Sequence, residues 1–256
     1  MGRPFGCPSL QSFTFQKGYD EIKGIALCPY RGVCTLAPME AIAPYVQRFA
    51  LWAVPILAAV ILHEVAHGYV AYRLGDSTAA RSGRLTLNPF AHVDLFGTII
   101  LPLLLLFGGA PFLFGYAKPV PVNFLNLRNP RRGMVLVALA GPAMNLLLAS
   151  LSAIIVRSLL SLPVPDNQFL TSNMVVIARM AQYSVLMNVS LAVFNLLPLP
   201  PLDGGRVATG LLPQTSALAL ARLEPYGMLI IMVLLMSGVL DQLLHPMTVF
   251  LLHVLL

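Results

Sequence analysis

The stretch AAVILHEVAHGYVAYRLG, residues 58–75, decides how the rest of the sequence is interpreted. It continues an apolar run that begins near Phe49, yet it carries His63, Glu64 and His67 in its middle. Ionisable side chains within an apolar segment of membrane-spanning length are costly, so they indicate a functional site. Residues four apart lie on one face of a helix, which places the two imidazoles side by side.

Two histidines at this spacing, with a glutamate directly after the first, form the pattern HExxH. The imidazoles of His63 and His67 can bind one zinc ion from a single helix face, and Glu64 can reach a water at the metal as a general base. The alternative is a pair of buried histidines that are hydrogen-bonded to neighbouring backbone.

The composition indicates a polytopic membrane protein. The chain of 256 residues is 57% hydrophobic and only 10% charged, whereas soluble domains contain about 25% charged residues. The net charge of +6 comes mostly from basic residues in loops between apolar runs, which indicates membrane topology and predicts no nucleic-acid partner. All three cysteines precede residue 40, so a transition metal in the core needs histidine and carboxylate ligands.

Six apolar runs predict an all-α polytopic membrane protein with five to six membrane segments, because a spanning helix needs about 20 mostly apolar residues. The runs are residues 44–74, 95–117, 134–162, 173–197, a run that starts near 226, and 247–256.

The run 95–117 is interrupted by Pro102, Gly108, Gly109 and Pro111, and basic loops flank it on both sides. A single crossing would place one of these loops on the wrong side under the positive-inside rule. We therefore expect a re-entrant hairpin with both ends cytoplasmic and its turn shielded by other helices, with an ordinary span as the alternative. This topology puts HExxH toward the cytoplasmic end of the first helix.

Two loop stretches alternate as strands do: RLTL, residues 84–87, and PVPV, residues 119–122. We expect them to pair as short β-strands at the membrane surface, with the prolines confining PVPV to an edge. An edge strand near an active site can bind an extended peptide by strand addition.

The first 38 residues have no helical period and no uninterrupted apolar core. We expect residues 1–38 to be either a disordered tail or sequence upstream of a start at Met39. Residues 39–256 are expected to form a single domain, with its core at residues 58–206.

A catalytic zinc site takes three protein ligands, so a third ligand is needed beside the two histidines. The best candidate is Asp203 in FNLLPLPPLDGGRV, where prolines and glycines break the helix and a carboxylate can point inward. The alternative is that Asp203 caps the start of a helix. His92 and Asp94, in NPFAHVD, are the rival ligands, and we interpret them as loop-organising or substrate-side groups.

Six motifs follow one another along residues 58–206: HEVAHGYVAYRLGD, GRLTLNP, AKPVPVN, NPRRGM, ALAGPAMN and FNLLPLPPLDGGR. Together they resemble the site-2 protease family of intramembrane zinc metalloproteases, in particular its compact bacterial and archaeal members without PDZ or CBS domains. The resemblance implies that His63, His67 and Asp203 bind one zinc ion and that Glu64 is the general base.

Two asparagines also match recurrent positions of that family, Asn145 in AGPAMN and Asn195 in FNLLP. The resemblance implies a role for them in a polar cavity or at the substrate backbone. Buried asparagines that bridge helices are the alternative interpretation.

The resemblance implies an endopeptidase that hydrolyses peptide bonds in or near transmembrane segments of membrane-protein substrates. It would lie in the lipid bilayer of a prokaryotic cell membrane, with its active site toward the cytoplasm. A divalent-metal transporter and a catalytically inactive homologue that binds membrane proteins are the alternatives. A transporter would spread its ligands over several depths, and an inactive homologue usually lacks a ligand or the glutamate, whereas this sequence keeps all four residues. No oligomeric state follows from the sequence.

Overall fold

The structure, a computed structural model, describes residues 38–108, 115–163 and 165–256, with side chains from Leu51 onward except at positions 99, 102 and 106. Regular structure in these ranges is helical. The helices are α1 (Pro38–Arg73), α2 (Thr78–Arg81), α3 (Leu101–Phe107), α4 (Pro130–Ser161), α5 (Gln168–Asn195), α6 (Asp203–Leu211), α7 (Gln214–Ala221), α8 (Glu224–Met236) and α9 (Val239–Leu255). A π-helical segment, Leu95–Ile100, leads into α3. Residues 1–37, on which the prediction for the N-terminal extension depends, lie outside the described residues.

Three helices are long and apolar enough to cross a membrane: Leu51–Arg73 within α1, and the whole of α4 and α5. Helices α7 and α8 pass the same test together, although they are bent by 66° at a short break. The described residues therefore provide three spans, or four if the bent pair is one span, as expected of an integral membrane protein.

The prediction of five to six membrane segments is not confirmed, and part of the difference lies near the C terminus. Gly238 has a φ of +72°, a left-handed conformation that favours glycine, and it separates α8 from α9. These helices have 13 and 17 residues, and α9 contains Pro246. Each is shorter than the length of about 20 residues that a straight α-helical span requires.

The predicted surface strands do not form, and the backbone at RLTL and PVPV is irregular. The prolines of PVPV lack an N–H group, and the N–H of Val120 donates to the carboxylate of Glu64 at 2.8 Å. The two stretches do lie together, because the guanidinium of Arg84 donates to the carbonyls of Lys118 and Pro119 at 2.9 and 3.2 Å. The side chain of Arg84 therefore connects the two stretches, and they form no β-ladder.

The two ends of the run 95–117 lie beside each other. The N–H of Tyr116 donates to the carbonyl of Gly97 at 3.0 Å, and the hydroxyl of Thr98 donates to the carbonyl of Tyr116 at 3.0 Å. A re-entrant hairpin requires this proximity. Its tip falls in residues 109–114, outside the described residues, so the hairpin itself stays a prediction.

Helix α4 lies at the centre of the bundle and packs against α1, α5 and α6. Ala149 and Ala153 of α4 are buried against Val185 and Val189 of α5, and Leu252 of α9 joins this cluster. Small residues allow helices to approach closely where the surroundings are apolar. Side-chain packing, rather than the helix propensity of these residues, therefore stabilises the contact between α4 and α5. The arrangement places one face of α4 beside the histidines of α1 and the start of α6.

The proline-rich segment between α5 and α6 turns the chain back into the bundle. Gly227 of α8 lies directly against the carbonyl of Pro200, leaving no room there for a side chain. Leu197 of the segment packs with Ile231 and Leu240, which are fully or almost fully buried. The C-terminal helices thereby hold this segment in place, and α6 begins at Asp203 inside the bundle.

Candidate metal centre

Three acceptor atoms meet where α1 and α6 approach each other. The Nε2 atoms of His63 and His67 are 3.0 Å apart, and Oδ2 of Asp203 lies 3.2 Å from each of them. All three side chains are buried. Among the described residues, they are the only group of His, Cys, Asp and Glu side chains close enough to hold a metal ion.

The spacing of these atoms fits a zinc ion. Zinc bonds of about 2.0–2.1 Å at tetrahedral angles place neighbouring ligand atoms about 3.3 Å apart, close to the separations of 3.0 and 3.2 Å found here. The buried Oδ2 of Asp203 has no hydrogen-bond partner among the described residues. A shared proton would satisfy only one pair of the three atoms at a time, whereas a metal ion satisfies all three.

The other ring nitrogen of each histidine faces an acceptor. Nδ1 of His67 lies 2.7 Å from the carbonyl oxygen of Val137, and Nδ1 of His63 lies 2.6 Å from Oδ1 of Asn145. The carbonyl can only accept, so Nδ1 of His67 carries a hydrogen and its Nε2 presents a lone pair. Histidines that bind metals characteristically donate their second N–H in this way.

Asp203 does not cap α6. The N-cap residue is Leu202, and no side chain caps this helix end. The carboxylate is directed instead at the two histidines. This geometry favours the ligand interpretation of Asp203 over the capping alternative.

Gly141 allows α4 to touch the imidazoles. A Cβ atom at this position would collide with Nε2 of His67 and with the ring of His63. Gly141 lies one turn from both Val137 and Asn145, which contact the Nδ1 atoms. Two turns of α4, from Val137 to Asn145, thus contact both rings, and Gly141 between them has no side chain.

Glu64 is partly exposed beside this centre, and its carboxylate is held by backbone. Oε2 accepts a hydrogen bond from the N–H of Val120 at 2.8 Å. Val120 belongs to the segment that follows the run 95–117, so this segment crosses the HExxH face of α1. A backbone donor thereby fixes one oxygen of Glu64 and orients the carboxylate.

Asp76, just beyond the end of α1, holds the same segment further along. Its fully buried carboxylate accepts hydrogen bonds from the N–H of Asn123 at 2.7 Å, from Nδ2 of Asn126 at 2.9 Å, and from Thr78. Burial opposes the charge, but these hydrogen bonds outweigh it and lower the pKa of Asp76 below its usual range. Asp76 was not among the residues predicted from the sequence, although an aspartate in a turn directly after a helix is a signal for such a role.

Three other residues singled out from the sequence, Asn195, His92 and Asp94, have their described hydrogen bonds to groups other than the three acceptor atoms. Asn195 donates to the carbonyl of Leu191 in its own helix. Nε2 of His92 contacts the carbonyl oxygen of Thr86 at 2.9 Å, and Asp94 accepts from the N–H of Gly97 at the start of the π-helical segment. His92 and Asp94 therefore organise their loop and do not join the metal group. Asn145 contacts His63 of the centre, and it also donates to Asn188 of α5.

A helical membrane protein in which an HExxH helix meets a carboxylate from a late helix break belongs to the class of zinc metalloproteases. The chain is a member of Peptidase family M50, the site-2 protease family, whose family model matches residues 51–238. Hydrolase activity on peptide bonds and a zinc cofactor follow from this membership.

Relatives support the same class. The chain is 38% identical over 194 residues to the Bacillus subtilis protein named "Putative zinc metalloprotease YwhC", across 76% of this chain and 84% of that protein. It is 31% identical over 209 residues to "Putative zinc metalloprotease Rip2" of Mycolicibacterium smegmatis, across 81% and 73% of the two chains. The Rip2 protein of Mycobacterium tuberculosis is similar to the same degree over 208 residues. No solved structure matches the chain significantly.

The variant Gly141→Ala is expected to lose zinc, because the added methyl group must displace His63 or His67. Overpacking of a buried contact typically costs about 1–3 kcal/mol, here at the metal centre. Metal analysis of the purified, detergent-solubilised chain measures the effect. Ala143→Val, at an exposed position on the same helix, is the control and should keep its zinc. Wild-type zinc content in Gly141→Ala would contradict the close approach.

The variant Asp76→Asn is expected to unfold at a lower temperature than wild type at neutral pH. Its NH₂ group would replace one carboxylate oxygen and lie against the N–H groups that now donate to Asp76. The folded pKa of Asp76 lies below the unfolded value, so its contribution to stability is present above the unfolded value and disappears as pH falls through the folded value. The thermal midpoints of wild type and variant should therefore converge in acid.

Thermal unfolding in detergent across this pH range is the measurement. Asp166→Asn, at an exposed position, serves as the control. A difference between wild type and Asp76→Asn that persists undiminished in acid would show that the charge of Asp76 is not what stabilises the fold.

Proposed function

We propose that this protein is an intramembrane zinc endopeptidase, which hydrolyses peptide bonds in or near transmembrane segments of membrane-protein substrates. The single observation that carries the proposal is the convergence of three buried acceptor atoms beside an oriented glutamate. His63, His67 and Asp203 hold the zinc ion, and Glu64 is the general base. A bound zinc ion supplies Lewis-acid chemistry, which polarises the scissile carbonyl and acidifies water.

The protein's own groups prepare the reaction. The Nδ1 hydrogens of His63 and His67 are held by Asn145 and Val137, which leaves both Nε2 lone pairs directed at the metal position. Val120 fixes one oxygen of Glu64, so the other oxygen can take a proton from the attacking water and later deliver it to the leaving amine. The substrate must be extended where it is cut, because a helical peptide bond is hydrogen-bonded and sterically shielded.

The clustering of the ligands supports the protease over a metal transporter. A permeation path needs ligands at several depths, while the metal group of the described residues is a single site. The presence of all four residues likewise favours an active enzyme over an inactive homologue, because Glu64 is present and oriented.

The distribution of basic residues supports an active site toward the cytoplasmic side of a cell membrane. The segments between α1 and α4, together with the start of α4, contain Arg81, Arg84, Lys118, Arg128, Arg131 and Arg132. Residues 162–167, between α4 and α5, contain no lysine or arginine. In this orientation α1 runs inward and HExxH lies in its cytoplasmic half.

Metal content and cleavage together test the proposed roles. Wild type should contain about one zinc ion per chain, as expected for a catalytic site with three protein ligands. Asp203→Ala should lose the zinc, while Glu64→Gln should keep it and cleave a transmembrane peptide about 10²–10⁴-fold more slowly. Asp94→Ala is the control and should resemble wild type in both measurements. Full zinc in Asp203→Ala, or a normal rate in Glu64→Gln, would overturn the assignment.

Labelling of single cysteines tests the orientation. After removal of Cys7, Cys28 and Cys34, the exposed positions Ser82 and Asp166 are replaced by cysteine one at a time. A membrane-impermeant thiol reagent should label Asp166→Cys in intact cells and Ser82→Cys only after permeabilisation. The opposite pattern would place the active site on the outer side.

A further inference from the structure

A chain of buried hydrogen bonds leads from the metal centre into the seam between α4 and α5. Asn145 donates through Nδ2 to Oδ1 of Asn188 at 2.9 Å, and Asn188 donates through its own Nδ2 to the carbonyl of Ser184 at 2.8 Å. Asn145 and Asn188 are both almost completely buried. We call this chain, Ser184, Asn188, Asn145 and His63, the amide relay. Asn188 touches none of the three acceptor atoms, and the proposed reaction does not use it.

The relay has only one consistent direction. The backbone carbonyl of Ser184 can only accept, so the NH₂ group of Asn188 must face it. The oxygen of Asn188 then faces Asn145, which must present its own NH₂ group. The carbonyl of Ala59 requires the same orientation of Asn145, because Nδ2 also donates to it at 3.2 Å.

The direction of the relay determines which nitrogen of His63 carries the hydrogen. With its NH₂ group used, Asn145 presents Oδ1 to Nδ1 of His63 at 2.6 Å. Nδ1 must therefore be the donor, and Nε2 is left with a lone pair toward His67 and Asp203. A neutral imidazole binds a metal only through the nitrogen that lacks the hydrogen.

The two histidines reach this state by different means. His67 donates directly to the carbonyl of Val137, whose direction cannot change. His63 donates to a side-chain amide, and an amide can rotate and exchange its oxygen for its nitrogen. The rest of the relay removes that freedom.

We propose that Asn188 is a positioning residue, which acts through Asn145 to keep Nε2 of His63 available for zinc. The inference rests on the proposed role of His63 as a ligand. Partners behind a metal ligand typically change metal affinity by about 10–100-fold when they are removed. Because the carbonyl of Ala59 still restrains Asn145, the effect of removing Asn188 lies at the lower end of this range.

The experiment measures zinc affinity by competition with a chelator in the purified, detergent-solubilised full chain. Asn188→Leu preserves bulk but removes both hydrogen-bonding groups, and it should weaken zinc binding about tenfold. Asn188→Asp should restore the affinity, because the carbonyl oxygen of the protonated side chain can accept from Asn145 while its hydroxyl donates to the carbonyl of Ser184. Ser152→Ala removes a partly buried hydrogen bond from the hydroxyl of Ser152 to the hydroxyl of Ser184. It keeps the backbone carbonyl of Ser184, to which Asn188 donates, and should leave affinity unchanged.

The variants distinguish the relay from a general loss of packing. Equal affinity of Asn188→Leu and wild type would overturn the proposal, and so would an equal loss in Asn188→Leu and Ser152→Ala. His63→Ala is measured in parallel: if it binds zinc as tightly as wild type, the ligand assignment fails. If His63→Ala loses zinc and Asn188→Leu does not, only the role of Asn188 fails.

A second measurement does not depend on the folding of any Asn188 variant. Nitrogen-15 NMR of histidine-labelled, metal-free wild type above neutral pH distinguishes the two neutral forms of the imidazole. The His63 signals are identified by their absence in His63→Gln. The relay requires the hydrogen on Nδ1 of His63, and a hydrogen on Nε2 would overturn it.

Discussion

The mutual repulsion of three acceptor atoms is the constraint on which the rest of this structure depends. Two imidazole lone pairs and a carboxylate oxygen within 3.0–3.2 Å of one another are unfavourable in a buried site without a cation. The surrounding bundle is arranged to impose this contact. Helix α4 receives the rings at Gly141, and the proline-rich segment before α6 delivers Asp203 from the opposite side.

Much of the metal centre could be predicted from the sequence, because its most informative part is local. The i, i+4 spacing of His63 and His67 follows from helical geometry alone, and Glu64 lies between them. The helix break before Asp203 is also a local property, since Pro198, Pro200 and Pro201 together remove three backbone N–H donors within four residues. What the spacing alone left open was whether Asp203 binds metal or caps a helix, and the orientation of its side chain depends on contacts with α1.

Residues whose role depends on distant partners could not be placed in this way. For Asn145 and Asn195 the resemblance implied a role in a cavity or at the substrate, with a bridge between helices as the alternative. The described hydrogen bonds join Asn145 to His63 and Asn188 on two other helices, whereas that of Asn195 lies within its own helix. Asn188 was overlooked, although a buried amide within an apolar helix is itself a signal of function. The strands predicted at 84–87 and 119–122 were wrong for a related reason. The alternation of apolar and polar residues is visible in the sequence, but the hydrogen bond from the N–H of Val120 to Glu64 is not.

The geometry of the three proposed ligands also bears on the stability of the folded protein in the cell. His63 and Asp203 lie on elements that are far apart in the chain, so an ion bound between them joins α1 to α6 much as a covalent cross-link would. Without the ion, packing alone must hold repelling groups together. If the three residues hold the ion as proposed, its binding adds to the free energy of unfolding, and removal of zinc should shorten the lifetime of the folded chain as well as stop its activity.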